Sequence, residues 1–154
     1  MQTWITDIDI NKSASNLHWR HLNAQIYEGI HILSSLLNIN DKLVTPKRSV
    51  INHPATMQWK GYEKELYHYI LIHCKHLKSY GTDKYYETIT YKNMKLIEGY
   101  INTSAKLKYP DWFKIHIPIH RSNLVLKNED HYKALFGKAI YSDNARVYGG
   151  KILN

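Results

Sequence analysis

Residues 17–37, LHWRHLNAQIYEGIHILSSLL, decide the fold because they carry the clearest helical pattern in the chain. Apolar side chains recur there every three or four residues, which places them on one stripe of a helix. The stripe contains Leu22, Ile26, Ile30, Leu33 and Leu37. His21, Gln25 and Glu28 form a second row, about 100° or more round the helix from the centre of the stripe. We therefore expect this row to face away from the core, into solvent or toward a groove.

Two neighbouring residues favour the groove. Glu28 is the only glutamate among the first sixty residues, and it lies among nitrogen-bearing side chains. Gly29 costs about 1 kcal/mol relative to alanine inside a helix, and such a glycine often marks the close approach of another backbone or a ligand. A polar row opposite an apolar stripe is also typical of any surface helix. The helix alone leaves both interpretations open.

The length and cysteine content predict a soluble protein with one domain, residues 1–154, that needs no disulfide. Cys74 is the only cysteine, and its apolar surroundings indicate a buried, unreactive thiol. No apolar run is long enough to cross a membrane, and Met1 does not begin a signal peptide. We expect a cytoplasmic protein with no membrane partner.

The charge balance points to a polyanionic partner. Lysine and arginine number 21 against 13 aspartate and glutamate, which gives a formal charge of +8, and ten histidines can add to it. Residues 1–83 carry nine basic and seven acidic side chains, whereas residues 84–154 carry twelve and six. The C-terminal half should therefore hold more of the phosphate contacts. Thirteen tyrosines and four tryptophans offer rings for base stacking.

Further helices follow from the remaining patterns. Trp4 and Ile5 indicate that the N-terminus packs down, and Asp9 or Asn11 can cap a short turn before the first long helix. Residues 52–81 carry a second strong helix that starts near Pro54 and stops at Gly81. Residues 38–49 form a loop, and residues 83–102 form a third helix. Pro118 should begin a short helix that projects four side chains, His120, Arg121, Asn123 and Lys127. The fold class is mainly α.

Familiar catalytic and cofactor signatures are missing from the chain. It has no internal repeat, P-loop, dinucleotide-binding fingerprint, zinc-finger spacing or nucleophile elbow. His68, His73 and His76 lack a paired cysteine or carboxylate motif at ligand spacing, so no metal site is predicted. We expect no cofactor.

Four pieces of the chain together resemble the pyrimidine-dimer DNA glycosylases, the family of the phage endonuclease V and of small bacterial relatives. They are MQTW at residues 1–4, HLNAQIYEG at 21–29, NHPATMQWKGYEKEL at 52–66, and HRSNLVLK at 120–127 followed by HYKALFGKAIY at 131–141. The first half is most similar to the bacterial relatives, and FGKAIY is most similar to the phage enzyme.

The resemblance implies a compact single-domain helical bundle with long loops, in which the N-terminal segment is packed between helices and reaches a DNA-facing groove. It implies a DNA repair enzyme that flips a base out of damaged double-stranded DNA. The N-terminal α-amine then attacks C1′, and β-elimination follows. Such an enzyme would be a monomer in the cytoplasm, associated with the nucleoid, or in the host cell if the protein is viral.

The predicted site follows from the resemblance and the chemistry of the residues present. The catalytic groups are the α-amine of Met1, if it is retained, and the carboxylate of Glu28. An α-amine with a pKa of about 7.7 to 8.0 is a readier nucleophile at neutral pH than lysine. The predicted DNA-binding residues are Arg20, His21, Gln25, His31, His120, Arg121, Asn123 and Lys127.

Two departures from the family pattern bear on this prediction. The phage enzyme loses its initiator methionine to expose a small threonine, whereas Gln2 is too large for usual methionine removal, so we expect Met1 to stay. Processing that exposes Gln2 or Thr3 is the open alternative. Tyr27 and His31 stand where the family has arginines beside the glutamate. Two alternatives therefore remain open: a glycosylase for another modified base, and a basic DNA-binding protein without catalysis.

Overall fold

A computed structural model of the protein describes residues 2–41, 48–81, 84–142 and 145–153. Within these ranges, eight helices precede one two-stranded sheet. The helices are α1 (Ile10–Ser15), α2 (Trp19–Leu36), α3 (Arg48–Ile51), α4 (Pro54–Met57), α5 (Glu63–Lys78), α6 (Lys84–Glu98), α7 (Phe113–Lys127) and α8 (Glu129–Phe136). The strands are β1 (Arg146–Tyr148) and β2 (Lys151–Leu153), which pair antiparallel with Val147 opposite Ile152. The prediction of a mainly α fold is confirmed.

The core is built around the contact between α2 and α5. Leu22, Ile26 and Leu33 of the predicted stripe are at most 1% exposed, and burying such a side chain contributes about 1.5–3 kcal/mol relative to leaving it in water. Gly29 lies at this contact, where an added Cβ would be 2.7 Å from Cγ1 of Ile70. The close packing of two helices therefore explains why residue 29 is a glycine, and no ligand is required to account for it.

Several helix boundaries follow the capping signals in the sequence. The carboxylate of Asp9 accepts a hydrogen bond from the Asn11 N–H at 2.8 Å and caps α1. Pro54 opens α4, with the His53 ring accepting from the Ala55 N–H at 3.0 Å. α6 lies inside the predicted range 83–102. The single helix predicted from Pro54 to Gly81 is wrong, because the chain forms α4 and α5 with a break between them, where Gly61 has a φ of 85°. α5 ends three residues before Gly81.

The predicted helix start at Pro118 is wrong, because α7 begins five residues earlier and contains the proline in its interior. An interior proline removes a backbone hydrogen bond and costs about 3 kcal/mol. Aromatic packing sets the earlier start, since the rings of Trp112 and Phe113 lie 5.3 and 5.8 Å from that of Trp59. The proline rule used only local signals, whereas this helix start is fixed by a contact across the core.

Part of the predicted loop at residues 38–49, including Lys47, lies outside the described residues, and α3 begins at Arg48. The predicted turns at Gly149 and Gly150 are present, with φ of 54° and 81° at the tip of the β1–β2 hairpin.

Among the described helices, none combines the length and the apolar character needed to cross a bilayer.

Candidate active site

The N-terminal segment, residues 2–6, is an extended stretch of chain outside every helix and strand, and side chains supply its hydrogen bonds. The amide of Gln25 on α2 pairs with it twice. Its Oε1 accepts from the Trp4 N–H at 2.7 Å, and its Nε2 donates to the Gln2 carbonyl at 3.0 Å. Because these groups are two residues apart, the Gln25 amide takes the place of a neighbouring strand.

Side chains of three other helices also form hydrogen bonds with the N-terminal segment. Tyr69 of α5 places its hydroxyl 3.0 Å from the Trp4 carbonyl. The other backbone bonds run from the Ile5 N–H to His120 Nδ1 at 2.8 Å, from the Thr6 N–H to Ser13 Oγ at 2.8 Å, and from Arg121 Nε to the Thr6 carbonyl at 2.7 Å. The segment is thus held from four helices, and Gln2 and Trp4 are each only 7% exposed.

Glu28 lies beside the beginning of this segment. Its Oε2 accepts a hydrogen bond from the Gln2 N–H at 3.1 Å. Burial raises the pKa of the Glu28 carboxyl above its usual value, while the Gln2 N–H and the positive charges of the N-terminal amine and Lys127 act in the opposite direction. The carboxylate is therefore a stronger base than a glutamate in water, and it stays in a partly hydrated position.

His120 anchors Gln2 from the other side. Since Nδ1 accepts from a backbone N–H, the ring proton is on Nε2, which lies 2.8 Å from Nε2 of Gln2. Two N–H donors cannot bond to each other, so the Gln2 amide takes the orientation with its nitrogen and oxygen exchanged. The amide oxygen must face Nε2, because only that atom can accept this proton. Burial holds the pKa of His120 well below its usual range, so the ring is neutral near pH 7. Gln2 is thus fixed at both its backbone and its side chain.

His21 is half-buried and bonds through one ring nitrogen. Its Nδ1 lies 2.6 Å from the Tyr132 hydroxyl, which also accepts from the His18 N–H at 2.9 Å. The hydroxyl proton is then free to donate to His21 Nδ1, which leaves the imidazole proton on Nε2. Burial, followed by the charge of His18, lowers the pKa of His21, so a neutral N–H donor faces away from Tyr132.

The outer face of the site carries cations and aromatic rings. Lys127 is exposed, with Nζ 5.9 Å from the centre of the Trp4 ring. The guanidinium of Arg20 lies 5.3 Å from the centre of the Trp19 ring. His31 packs edge-on against Tyr27 with ring centres 4.6 Å apart. Lys127 is close enough to His21 and Glu28 for its charge to favour a lower pKa at both, and Arg20, Tyr27 and His31 belong to the same helix as Glu28.

Three of the predicted DNA-binding residues are buried, so the prediction is corrected for them. Gln25, His120 and Asn123 are 1%, 0% and 3% exposed, so their side chains have no surface to offer a DNA molecule. Gln25 and His120 bind the N-terminal segment, and Asn123 donates to the Ala145 carbonyl at 2.9 Å. The prediction that Gln25 faces out of the core fails because the N-terminal segment covers that side of α2. Arg121 is part-buried and also pairs with Asp7 at 3.6 Å. Met1 lies outside the described residues.

The sequence did not single out Gln2, Tyr69 or Tyr132 as parts of the site. Tyr69 and Tyr132 belong to helices whose apolar patterns account for their burial, so nothing local marks their hydroxyls. Gln2 could have been noticed from the sequence. It lies close to Trp4 and Ile5, which were expected to pack down, and a buried glutamine needs hydrogen-bond partners.

The remaining candidates for chemistry are the histidines that could bind a metal ion and the thiol of Cys74. No group of three histidine, cysteine, aspartate or glutamate side chains within the described ranges is placed to hold a metal ion. His73 is fully buried, with Nδ1 2.7 Å from the Tyr69 carbonyl. Burial raises the pKa of the Cys74 thiol to about 12, so a reactive thiolate does not form near neutral pH.

Comparison with known proteins finds a match over the part of the chain that carries Glu28. A family model described as pyrimidine dimer DNA glycosylase matches residues 1–92. This range contains the N-terminal segment, α2 and α5, and ends inside α6. No curated protein and no solved structure shows significant similarity to the chain.

Proposed function

The chain belongs to the pyrimidine dimer DNA glycosylase family, and from this premise we propose that it excises ultraviolet-induced cyclobutane pyrimidine dimers through an imine on its N-terminal amine. One observation carries the proposal: the Gln2 N–H donates to Glu28 at 3.1 Å. Covalent bond lengths keep the α-amine of residue 1 within about 4 Å of the Gln2 nitrogen. The amine and the carboxylate can therefore act on the same sugar.

The amine acts first. Its nitrogen forms a bond to C1′ of the damaged nucleotide as the C1′–N bond to the base breaks, and the base takes the electron pair of that bond together with one of the two amine protons. The C1′–O4′ bond of the sugar ring then opens, the second amine proton goes to O4′, and an imine remains between the amine nitrogen and C1′. An α-amine suits this step because its usual pKa of about 7.7 to 8.0 leaves a useful neutral fraction at pH 7.

Glu28 then has two roles. As an anion it stabilises the positive charge that develops at the sugar, and as a base it removes a proton from C2′. The electron pair from that C–H bond forms a double bond, and the C3′–O bond breaks to release the 3′ phosphate. The raised pKa that burial gives Glu28 favours proton removal.

The cations and donors around Glu28 fit a DNA backbone. Lys127 and Arg20 are exposed, and His21 offers an imidazole N–H. Phosphate contacts of this kind provide affinity without sequence preference, and the affinity falls as salt rises. All the groups in this mechanism belong to one copy, so we propose that the chain acts as one domain and as a monomer.

The nucleophile in this mechanism is the amine of Met1. Removal of Met1 would leave an N-terminal glutamine, and its α-amine can attack its own side-chain amide to close a five-membered lactam and release ammonia. The lactam nitrogen is not a nucleophile. An intact mass of the native protein that includes the methionine supports this assignment, and a mass one methionine residue lower contradicts it.

The decisive experiment is borohydride trapping on ultraviolet-irradiated duplex DNA. The wild type should give a covalent protein–DNA adduct, and one extra residue before Met1 should abolish it while DNA binding stays. Glu28→Gln should keep binding and lose strand cleavage, whereas Glu98→Gln, at the far end of α6, should behave as the wild type. If no adduct forms on any lesion, the imine mechanism is wrong.

The same assay separates the alternatives. A glycosylase for another modified base would ignore dimers and release a different base from a lesion panel. A DNA-binding protein without catalysis would bind every duplex in a salt-dependent way and release nothing. Tyr27 and His31 replace the family arginines, and this replacement is the feature that favours a different damaged base as the substrate.

A further inference from the structure

Three histidines lie next to the side chain of Tyr132, where the start of α2 meets α8. We name His18, His21 and His131 the histidine cluster. The ring centre of His18 lies 5.2 Å from that of His131 and 6.5 Å from that of His21. The buried hydroxyl of Tyr132 accepts from the His18 N–H at 2.9 Å and lies 2.6 Å from His21 Nδ1. The cluster therefore joins the two helices.

Within the described residues, the charges that act on His18 and His21 are positive. Burial lowers the pKa of His18, and the charges of His131 and Arg20 lower it further. Burial also lowers the pKa of His21, with smaller effects of His18, Lys127 and His131. These two rings are therefore neutral near pH 7, and an anion placed beside the cluster would favour a positive charge on it.

The other titratable groups around the cluster leave this balance in place. Burial raises the pKa of Tyr132, and the neighbouring Tyr80 raises it further, so the Tyr132 hydroxyl keeps its proton. On α8 itself, Glu129 pairs with Lys133 at 2.6 Å. Asp130, the other carboxylate of α8, is exposed, so solvent screens its charge.

Hydrogen bonds oppose the protonation of two members of the cluster. His18 Nδ1 accepts from the Arg20 N–H at 3.3 Å, and a proton on that nitrogen would remove the cap of α2. His21 Nδ1 accepts from the Tyr132 hydroxyl, and a proton there would leave the buried hydroxyl without its acceptor. Neither ring can gain a charge without the loss of a hydrogen bond.

His131 differs from the other two members. Its Nε2 lies 3.3 Å from the Asn16 carbonyl, which can only accept, so the proton of the neutral ring is on Nε2. Within the described part of the chain, its Nδ1 forms no hydrogen bond. The backbone N–H of His131 donates to Asn128 Oδ1 at 3.3 Å and does not depend on the ring. His131 can therefore take a proton on Nδ1 and keep the bond to Asn16.

We propose that His131 takes up one proton when the protein binds DNA, and that the affinity for DNA therefore rises as the pH falls. The proposal rests on the function proposed above, because it takes DNA as the anion. Two exposed cations beside the cluster, Arg20 and Lys127, attract a phosphate backbone to this part of the surface. A phosphate favours the charged form of a nearby histidine, and by linkage the charged histidine favours the phosphate to the same extent.

The first test measures the affinity for an undamaged duplex at constant ionic strength. Uptake of one proton changes the affinity by at most about tenfold per pH unit, and we expect about a tenfold gain in total between pH 8 and pH 5.5. His131→Gln can still donate to the Asn16 carbonyl, so it should keep the affinity at pH 8 and lose most of the gain. Equal gains for this variant and the wild type would overturn the proposal.

A matched control separates His131 from general titration of histidines. His68→Asn removes a half-buried histidine of α5 that bonds to Tyr109, and it should keep the tenfold gain. A loss of the gain in this variant as large as in His131→Gln would contradict a specific role of His131.

The second test replaces the titrating charge by a permanent one. A lysine stays charged up to a pH of about 10, so His131→Lys should bind at pH 8 as tightly as the wild type binds at pH 5.5, with little pH dependence. A purely structural role of His131 predicts weaker binding at every pH, and that result would overturn the proposal. Calorimetry of wild-type binding in two buffers of different ionisation enthalpy should show proton uptake, and its absence would also overturn it.

Borohydride trapping separates this proposal from the glycosylase. A wild type that is trapped on irradiated DNA, but whose affinity does not depend on pH through His131, lacks the proton link. A pH dependence that His131→Gln removes, in a protein that forms no trapped adduct, keeps the proton link and removes the imine.

Discussion

The two ends of the chain are both extended, yet they are held by different means. The N-terminal segment has no strand beside it, and its backbone bonds to side chains of α1, α2, α5 and α7. The two strands of the β1–β2 hairpin pair with each other, and the N–H groups of the two positive-φ glycines in its two-residue turn donate to distant side chains. The first end depends on residues far away in sequence, whereas the second is largely local.

The same helix holds both ends. His120 of α7 accepts from the Ile5 N–H, and His116, one turn earlier, accepts from the Gly150 N–H at 3.1 Å. The centres of the two rings are 5.0 Å apart. The difference between the ends therefore lies in what remains after one side-chain partner is lost. The hairpin keeps its strand pairing, whereas the backbone of the N-terminal segment is bound by side chains, so the loss should disturb the segment, next to Glu28, more than the hairpin.

The largest effect is expected for Gln25→Leu. This change leaves the Trp4 N–H and the Gln2 carbonyl buried without the partner that Gln25 provides, at about 1–3 kcal/mol each, so the free energy of unfolding should fall by about 2–6 kcal/mol. Borohydride trapping should fall with it. Urea unfolding measures the first, with Gln58→Leu as the comparison variant. Gln58 accepts from the exposed Gly149 N–H, and it reaches the N-terminal segment through the Thr3 hydroxyl at 3.2 Å and not through the backbone. Equal losses for the two variants would contradict the comparison.

Acid should weaken both ends, because a protonated histidine cannot accept a hydrogen bond. Burial lowers the pKa of His116 to about 4 and that of His120 well below its usual value of 6.5. Below pH 6.5 the unfolded chain binds protons that the folded protein excludes. The free energy of unfolding should therefore fall between pH 6.5 and pH 4, by up to about 1.4 kcal/mol per pH unit for each histidine.

Urea titrations at several pH values test this loss. His116→Gln and His120→Gln should each flatten the pH dependence, and only His120→Gln should reduce borohydride trapping at pH 7. A pH dependence that neither variant changes would show that other groups control acid unfolding.

A smaller effect is expected at the tip of the hairpin. Gly150→Ala puts a Cβ 3.2 Å from Cδ1 of Ile115 and 3.3 Å from Cβ of Trp112, at a φ of 81°. The left-handed backbone alone costs a residue with a side chain about 1–2 kcal/mol, and the free energy of unfolding should fall by at least that amount. Gly149→Ala meets only Gln58 at 3.9 Å and should cost less. Trapping should survive both changes, and its loss would mean that the hairpin supports the site.

The smallest effects come from one matched pair of substitutions. Ile5 is fully buried in the N-terminal segment, and Ile152 is 48% exposed on β2. Ile5→Val should lower the free energy of unfolding by about 0.5–1.5 kcal/mol, and Ile152→Val should change it by less than about 0.5 kcal/mol. Thermal unfolding of the two variants measures the difference. A larger loss at Ile152 would reverse the proposed order of the two ends.

The sequence predicted what periodicity and local signals control. The stripe of α2, the cap at Asp9 and the start at Pro54 all depend on residues within one or two turns, and the packed N-terminus followed from Trp4 and Ile5. The supports of the N-terminal segment could not be found in this way. Gln25 and Gln2 are 23 residues apart and His120 and Ile5 are 115 apart, and a polar side chain does not show in sequence whether its partner is water or a distant backbone.

The candidate site was predictable only in its chemistry. Glu28 stood out because no other glutamate lies near it in sequence, and the structure places a backbone N–H of the first residues on its carboxylate. Its neighbour Gly29 was noticed for the right reason, a close approach, but the approaching group is Ile70 of α5. Periodicity gives the direction of a side chain from its helix, and it does not identify what lies there.

The attachment of both ends to adjacent turns of α7 has a mechanical consequence. A force that pulls the two termini apart is transmitted first to the hydrogen bonds at His120 and His116, before it reaches the contact between α2 and α5. A single-molecule extension should therefore begin with release of the hairpin, then of the N-terminal segment, and only then with rupture of the helical core. The contact between the Gln2 N–H and Glu28 would then be lost at a tension that leaves most of the helices intact.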